Sequence, residues 1–82
     1  MSNAFQYFIA GDNAFVYRFA YDTNGNVIYV GIAKPGASET DSVWLIKQID
    51  YDTNNNATSS KLANGSAEFN NKWSLRASIS YS

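Results

Sequence analysis

Apolar and polar residues alternate along several short segments of this chain, as they do in half-buried β-strands. The first clear segment places four aromatic side chains on one face: Phe15, Tyr17, Phe19 and Tyr21. The strictest alternation is in residues 73–81, where every second residue is apolar. That apolar set is Trp73, Leu75, Ala77, Ile79 and Tyr81. Both segments are predicted to be strands.

Two further segments, residues 27–32 and 43–51, are apolar on both faces for part of their length. In the second, Trp44 and Ile46 lie opposite Val43 and Leu45. A strand that is apolar on both sides needs cover from a second layer, a loop or a neighbouring subunit. Residues 5–9 form a weaker first strand of the same kind, and residues 57–62 are assigned as a strand mainly because they follow a turn.

The connections have the composition of hairpin turns. Gly11-Asp12-Asn13 separates the first two predicted strands, and the Asn24-Gly25 pair in residues 21–26 supplies the positive φ angles that tight hairpins need. Residues 51–56 repeat that turn with Asn in place of Gly, and Asn also tolerates the left-handed region. One hairpin geometry is therefore predicted twice. Residues 33–42 are the long exposed connection, and Ser66 is predicted to cap one helical turn.

These elements predict an all-β fold in a single domain over residues 1–82. It is a meander of five to six antiparallel strands that forms a small sandwich or an open barrel, with one long mid-chain loop.

The composition excludes several kinds of chemistry. The 82 residues include neither Cys nor His, which removes disulfides, thiolate chemistry and the commonest proton shuttle. The seven acidic residues fall mostly in predicted turns and loops, where water keeps them ionised. Two segments begin as Asp-x-Asn-x-Asn calcium loops, but Ala33 and Ala63 stand where the closing carboxylate belongs. We predict no enzymatic activity, no cofactor and no metal site.

The charge also narrows the choice of partner. A formal net charge of −1 disfavours nucleic-acid binding, which normally requires a basic surface. The apolar run in residues 5–10 is too short for a signal peptide or a membrane helix, so no membrane contact is expected. Tyr29 and Trp44 would suit a stacking platform for a ligand if they were exposed, although burial in a core or interface is the favoured interpretation.

Assembly with other protein surfaces is the predicted role. A core built from about eighty residues seldom supplies more than roughly 3–5 kcal/mol, and small folds add disulfides, metals or oligomerisation. Only oligomerisation suits this composition. Arg76, on the polar side of the last predicted strand, and Tyr29 are candidate partner contacts. The predicted core or interface anchors are Trp44, Trp73, Leu75, Ile79 and Tyr81.

Residues 27–82 resemble small virion structural proteins of tailed bacteriophages. The matching segments are Tyr29-Val30-Gly31-Ile32-Ala33, Gly36, Val43-Trp44-Leu45-Ile46-Lys47, Tyr51-Asp52, Phe69-Asn70-Asn71-Lys72-Trp73, Arg76-Ala77-Ser78 and Tyr81-Ser82. The family pattern often has acidic residues around the final Trp, whereas this chain carries Asn70, Asn71 and Lys72. Because of that difference, the resemblance does not extend to a charged interface around the final Trp, although it still covers the strand core.

The resemblance implies a capsid decoration, head–tail or tail component located in the virion. Its partners would be other virion proteins and copies of itself. The alternative is a small β binding module for a surface glycan or another ligand.

Overall fold

The computed structural model of the chain describes residues 15–82 and contains one antiparallel sheet. Consecutive strands are neighbours, so the sheet is a meander in the order β1-β2-β3-β4. This confirms a mostly β fold and four of the predicted strand segments. The strands are β1 (Val16–Tyr21), β2 (Val27–Ala33), β3 (Leu45–Tyr51) and β4 (Ala57–Leu62).

The strand count and the closure differ from the prediction. Residues 15–82 contain four strands in one sheet, where five to six strands in a sandwich or barrel were expected. The predicted first strand over residues 5–9 and the turn at Gly11-Asp12-Asn13 lie outside the described residues.

The strand predicted over residues 73–81 was wrong, because Trp73–Ser78 form a 3₁₀ helix. Such a helix has three residues per turn, so side chains three apart lie on the same side. Trp73 is buried, Arg76 and Ile79 are half-buried, and the residues between them are exposed; Tyr81, beyond the helix, is half-buried as well. The true period is therefore three, and the apparent alternation placed Leu75 on the wrong side.

The helical turn predicted after Ser66 was misplaced as well, because no helix is assigned before Trp73 in this region. Asn71 forms an isolated antiparallel bridge with Trp44, and its amide donates to the Trp44 carbonyl at 3.1 Å. This pairing holds residue 71 in a bridge to the strand side of the core, where the predicted helical turn would have ended.

The two similar hairpin turns share one geometry, as predicted. Asp22 Oδ1 accepts hydrogen bonds from the amides of Asn24 at 2.8 Å and Asn26 at 2.9 Å. Asp52 Oδ1 does the same in the second turn. The left-handed position is Gly25 in the first turn, with φ 84°, and Asn55 in the second, with φ 65°.

The two turns also contact each other at one end of the sheet. Asn26 Nδ2 donates to Asn55 Oδ1 at 3.0 Å, and the Tyr51 hydroxyl donates to the Val27 carbonyl at 2.7 Å. Each hairpin contains a register shift next to its turn, after Ala20 and after Asp50. The repeated segment therefore specifies a turn and the local strand irregularity beside it.

The hydrophobic core lies on one face of the sheet. Within residues 15–82, no helix has the length and apolar character required to cross a bilayer. The fully buried apolar residues are Ala33, Trp44, Ile46, Ala63 and Trp73.

Candidate interaction surfaces

One side of the sheet, which we call the covered face, packs against the C-terminal residues 71–82. The Trp73 ring lies directly against the backbone of Gly31 in β2. A Cβ atom at position 31 would lie 2.5 Å from Trp73 Cε3, so only glycine leaves room for the ring. Register places Arg18 and Ile46 on either side of Gly31, and hence on the same face.

Trp44 occupies the centre of this core and is fully buried. Its ring centroid lies 6.1 Å from that of Trp73, and its Nε1 donates to the Ser38 carbonyl at 2.9 Å. Arg18 caps the ring, with its guanidinium carbon 5.9 Å from the centroid, and pairs with Glu39 at 3.2 Å. The polar group of the indole is satisfied by the loop between β2 and β3, which ties that loop to the core.

The buried amide of Asn71 joins the C-terminal segment to the sheet. Its Nδ2 donates to the Trp44 carbonyl at 3.2 Å, while its Oδ1 accepts from Asn64 Nδ2 at 3.1 Å. A buried polar side chain is stable only when its hydrogen bonds are made. Both the Nδ2 and the Oδ1 atom of Asn71 form hydrogen bonds, which explains why a polar residue occupies this buried position.

Tyr81 closes the covered face at its other end. Its ring centroid lies 5.6 Å from that of Tyr29, and its hydroxyl donates to the Arg76 carbonyl at 2.7 Å. Burial, assisted by the nearby Tyr29 hydroxyl and opposed by the Arg76 charge, raises the pKa of Tyr81 to about 12. Tyr29, a candidate partner contact in the sequence, is half-buried in this intramolecular packing.

The other candidate contact, Arg76, also packs within its own chain. Its guanidinium carbon lies 4.6 Å from the Trp73 ring centroid, and Nη1 donates to the Trp73 carbonyl at 3.2 Å. Of the predicted anchors, Trp44 and Trp73 are buried and Ile79 and Tyr81 are half-buried against the core. Leu75 is 50% exposed and points away from the core.

The opposite side of the sheet, which we call the open face, is apolar and has no core residue packed on it within residues 15–82. Register and alternation define its members. They are Tyr17, Phe19 and Tyr21 from β1; Ile28, Val30 and Ile32 from β2; Leu45, Lys47, Ile49 and Tyr51 from β3; and Thr58, Ser60 and Leu62 from β4.

The β1 rings are the most prominent feature of the open face. Tyr17, Phe19 and Tyr21 are 52%, 51% and 60% exposed, and the first two rings stack with centroids 6.4 Å apart. Val16 and Ala20, the smaller residues of β1, pack on the core instead. The sequence pattern alone did not mark these rings as site residues. Their alternation was visible, but which face would meet the C-terminal segment was not.

A cleft of about 510 Å³ lies beside the loop between β2 and β3. Phe15 and Phe69, whose rings stack at 5.9 Å, form part of its lining together with Pro35 and Val43. Lys34 and Asp41 supply charged groups to the same lining. An apolar cleft with a few polar groups has the general character of a small-ligand site.

The turn carboxylates have structural roles in the described part of the chain. The amides of Asn56 and Asn54 that bind the Asp52 carboxylate lower its pKa. Hydrogen bonding from Ser59 and contact with Lys61 at 3.1 Å lower the pKa of Asp50. No group of three potential ligands able to hold a metal ion occurs among residues 15–82. Asp22 and Asp52 each accept two backbone hydrogen bonds within their own turns.

Comparisons of the chain with protein-family models, curated proteins and solved structures give no match. The protein is therefore described by its fold alone, as a single antiparallel sheet with one covered and one open apolar face. Its function has to be argued from these surfaces.

Proposed function

We propose that this chain is a non-enzymatic structural protein of a tailed-bacteriophage virion that assembles in several copies through protein–protein contacts. The observation that carries the proposal is the open face, where half-exposed aromatic rings and aliphatic side chains cover one side of a sheet. Soluble monomers rarely expose a contiguous apolar patch that extends over one side of a sheet, and such patches mark interaction sites. The resemblance of residues 27–82 to phage structural proteins supplies the virion context.

The predicted sandwich remains part of the proposal. A single sheet that is apolar on both sides needs a second layer, and an added sheet on the open face would supply it. β1 and β4 are the outer strands of the four-stranded sheet. β4 is largely polar and carries Lys61, which discourages further strand pairing. β1 is richer in aromatics, so a fifth strand is better accommodated beside β1.

Mass spectrometry of purified virions tests the virion role. The peptide should be present in a fixed copy number per particle, and its absence from particles of the phage that encodes it would contradict the role. A phage carrying Phe19→Glu should incorporate less of the protein than one carrying Leu75→Glu. The two residues are equally exposed, at 51% and 50%, but only Phe19 lies on the open face.

The cleft beside Phe69 supports a second candidate function, a binding module for a surface glycan. Aromatic rings next to charged groups, as with Phe15, Phe69 and Asp41, suit a sugar ring with its hydroxyls. Glycan-array binding that is lost in Phe69→Ala and retained in Phe19→Ala would favour this function. Binding that is absent, or unaffected by Phe69→Ala, would remove it.

A further inference from the structure

We infer that the open face is the contact surface of a symmetric dimer, in which the sheet of a second copy packs face to face on the first. This inference rests on the proposed assembly function and names the partner as another copy of the same chain. Phe19, Tyr21, Ser60 and Leu62 determine the relative orientation of the two copies.

The first argument is that the side chains at the two edges of the open face differ in size. β1 presents three large rings at one edge, whereas β4 presents Ser60 and Leu62 at the other. Interfaces pack at the density of protein interiors, so a high edge must meet a low one. A two-fold axis parallel to the strands turns the sheet over and places β1 of each copy above β4 of the other.

The second argument is the alignment of residues under that axis. Phe19, Val30, Lys47 and Leu62 form one row across the sheet. The axis reverses the row, so Phe19 meets Leu62 of the second copy and Val30 meets its Lys47. Two residues further along β1, Tyr21 lies close to Ser60 of the second copy, displaced by the register shift after Ala20. Each bulky side chain therefore faces a smaller or flexible one.

The third argument is size. A ring buries about 150–250 Å² in total, so three half-exposed rings offer roughly 300 Å². With the aliphatic side chains of the other strands, the face approaches the roughly 600 Å² per partner at the lower end of stable interfaces. Two identical sheets also match in width and length, and aligned sheets pack about 10 Å apart in sandwiches.

The fourth argument is charge. The chain carries a net charge of only −1, so two copies repel each other weakly. Among residues 15–82, Lys47 is the single charged residue on the open face, and neither ion pair of this part of the chain involves it. The aliphatic part of the Lys47 side chain can lie over Val30 of the second copy. Its ammonium group then lies beside the Phe19 ring of the second copy, which can accept a cation–π interaction.

Sedimentation equilibrium of the full chain tests the inference. The wild type should be a dimer at micromolar concentration. Phe19→Glu should raise the dimer dissociation constant at least 100-fold, because it removes the ring that packs on Leu62 of the second copy, and pairing of the new carboxylate with the nearby Lys47 does not repay the loss of its hydration. Leu75→Glu is the matched control and should leave the constant within about twofold. A wild-type monomer at high micromolar concentration, or a dimer unaffected by Phe19→Glu, would overturn the inference.

Cross-linking tests the orientation. Because the chain has no Cys, Tyr21→Cys and Ser60→Cys each provide a unique thiol. Within one sheet these positions are three strand spacings, roughly 14 Å, apart, whereas facing sheets are about 10 Å apart. A bismaleimide shorter than 14 Å should join the two variants when they are mixed and should not join either variant to itself. Cross-linking of a variant only to itself would contradict the proposed axis.

The two proposals can fail separately. A chain found in virions that is monomeric in solution would overturn the symmetric dimer and leave the structural role intact. A dimer with the predicted cross-links that is absent from virions would overturn the virion role alone.

Discussion

Both faces of the sheet carry apolar side chains, yet only one of them is covered by the rest of the described chain. On the covered face, Trp73 fits against Gly31, and Asn71 and Tyr81 fix the C-terminal segment by hydrogen bonds. On the open face, larger rings such as Phe19 remain half-exposed. Hydrophobicity alone therefore does not decide burial in this protein. The shape of the backbone and the polar contacts of the covering segment decide it.

This difference separates residues that maintain the fold from residues available for partners. Substitutions on the covered face should lower the free energy of unfolding of the single chain. Substitutions on the open face should change association instead. The following predictions test that division.

The largest effect is expected for Trp73→Ala. Removing this buried ring leaves a cavity between Gly31 and Trp44 and should cost about 3–5 kcal/mol, comparable to the total stability of a domain this small. Urea denaturation followed by far-ultraviolet circular dichroism measures the loss. A decrease below 1 kcal/mol would show that the covered face is not the principal core.

Gly31→Ala should be the next most damaging change, by about 1–3 kcal/mol, because the added methyl group overlaps the Trp73 ring. The smaller ring of Trp73→Phe should partly relieve the overlap. In a double-mutant cycle the two changes should be less damaging together than their sum. Additive effects would indicate that the ring does not lie against position 31.

Tyr81→Phe should cost about 1 kcal/mol, because the hydroxyl donates to the Arg76 carbonyl. Burial raises the pKa of Tyr81 from 10.0 to about 12, so the folded state favours the neutral phenol. The stabilisation is complete below pH 10 and is lost as the pH rises towards 12.

Denaturation at pH 9 and pH 11.5 measures this pH dependence. Tyr81→Phe should remove it, whereas Tyr17→Phe on the open face should leave the alkaline loss of stability in place. An unchanged alkaline loss in Tyr81→Phe would assign the effect to another group.

The smallest effect on the single chain is expected for Phe19→Ala, within about 0.5 kcal/mol, as for other exposed substitutions. Denaturation should be measured at dilutions where the protein is monomeric, because dimerisation adds concentration-dependent stability. The same variant should nevertheless weaken association. A loss above 2 kcal/mol in the dilute monomer would show that the ring is buried within its own chain.

The sequence predicted the sheet and its turns well, because those signals are local. The alternation in β1 and the Asp-Asn turns depend on residues within six positions of one another. The C-terminal segment was predicted incorrectly because its apolar residues, such as Trp73 and Leu75, recur at every second position. In the structure the residues turned towards the core recur at every third position, and one of them is Arg76. No local signal indicated that an arginine would stack on Trp73 and lie half-buried.

The candidate contacts were harder to predict than the strands. Tyr29 and Arg76 were predicted as possible partner contacts, and each is half-buried through packing within the chain. The rings at Tyr17 and Phe19 were not selected and are exposed. Alternation shows which residues share a face, but it does not show which face another segment covers.

By itself, the sequence determined the antiparallel meander, the paired hairpin turns and the absence of thiol or imidazole chemistry. The tertiary structure alone decided which apolar face is enclosed. Enclosure required the glycine at position 31 to admit the Trp73 ring and the Asn71 amide to pair with a strand distant in sequence. Those contacts form only when the chain folds back on itself, so no local pattern encodes them.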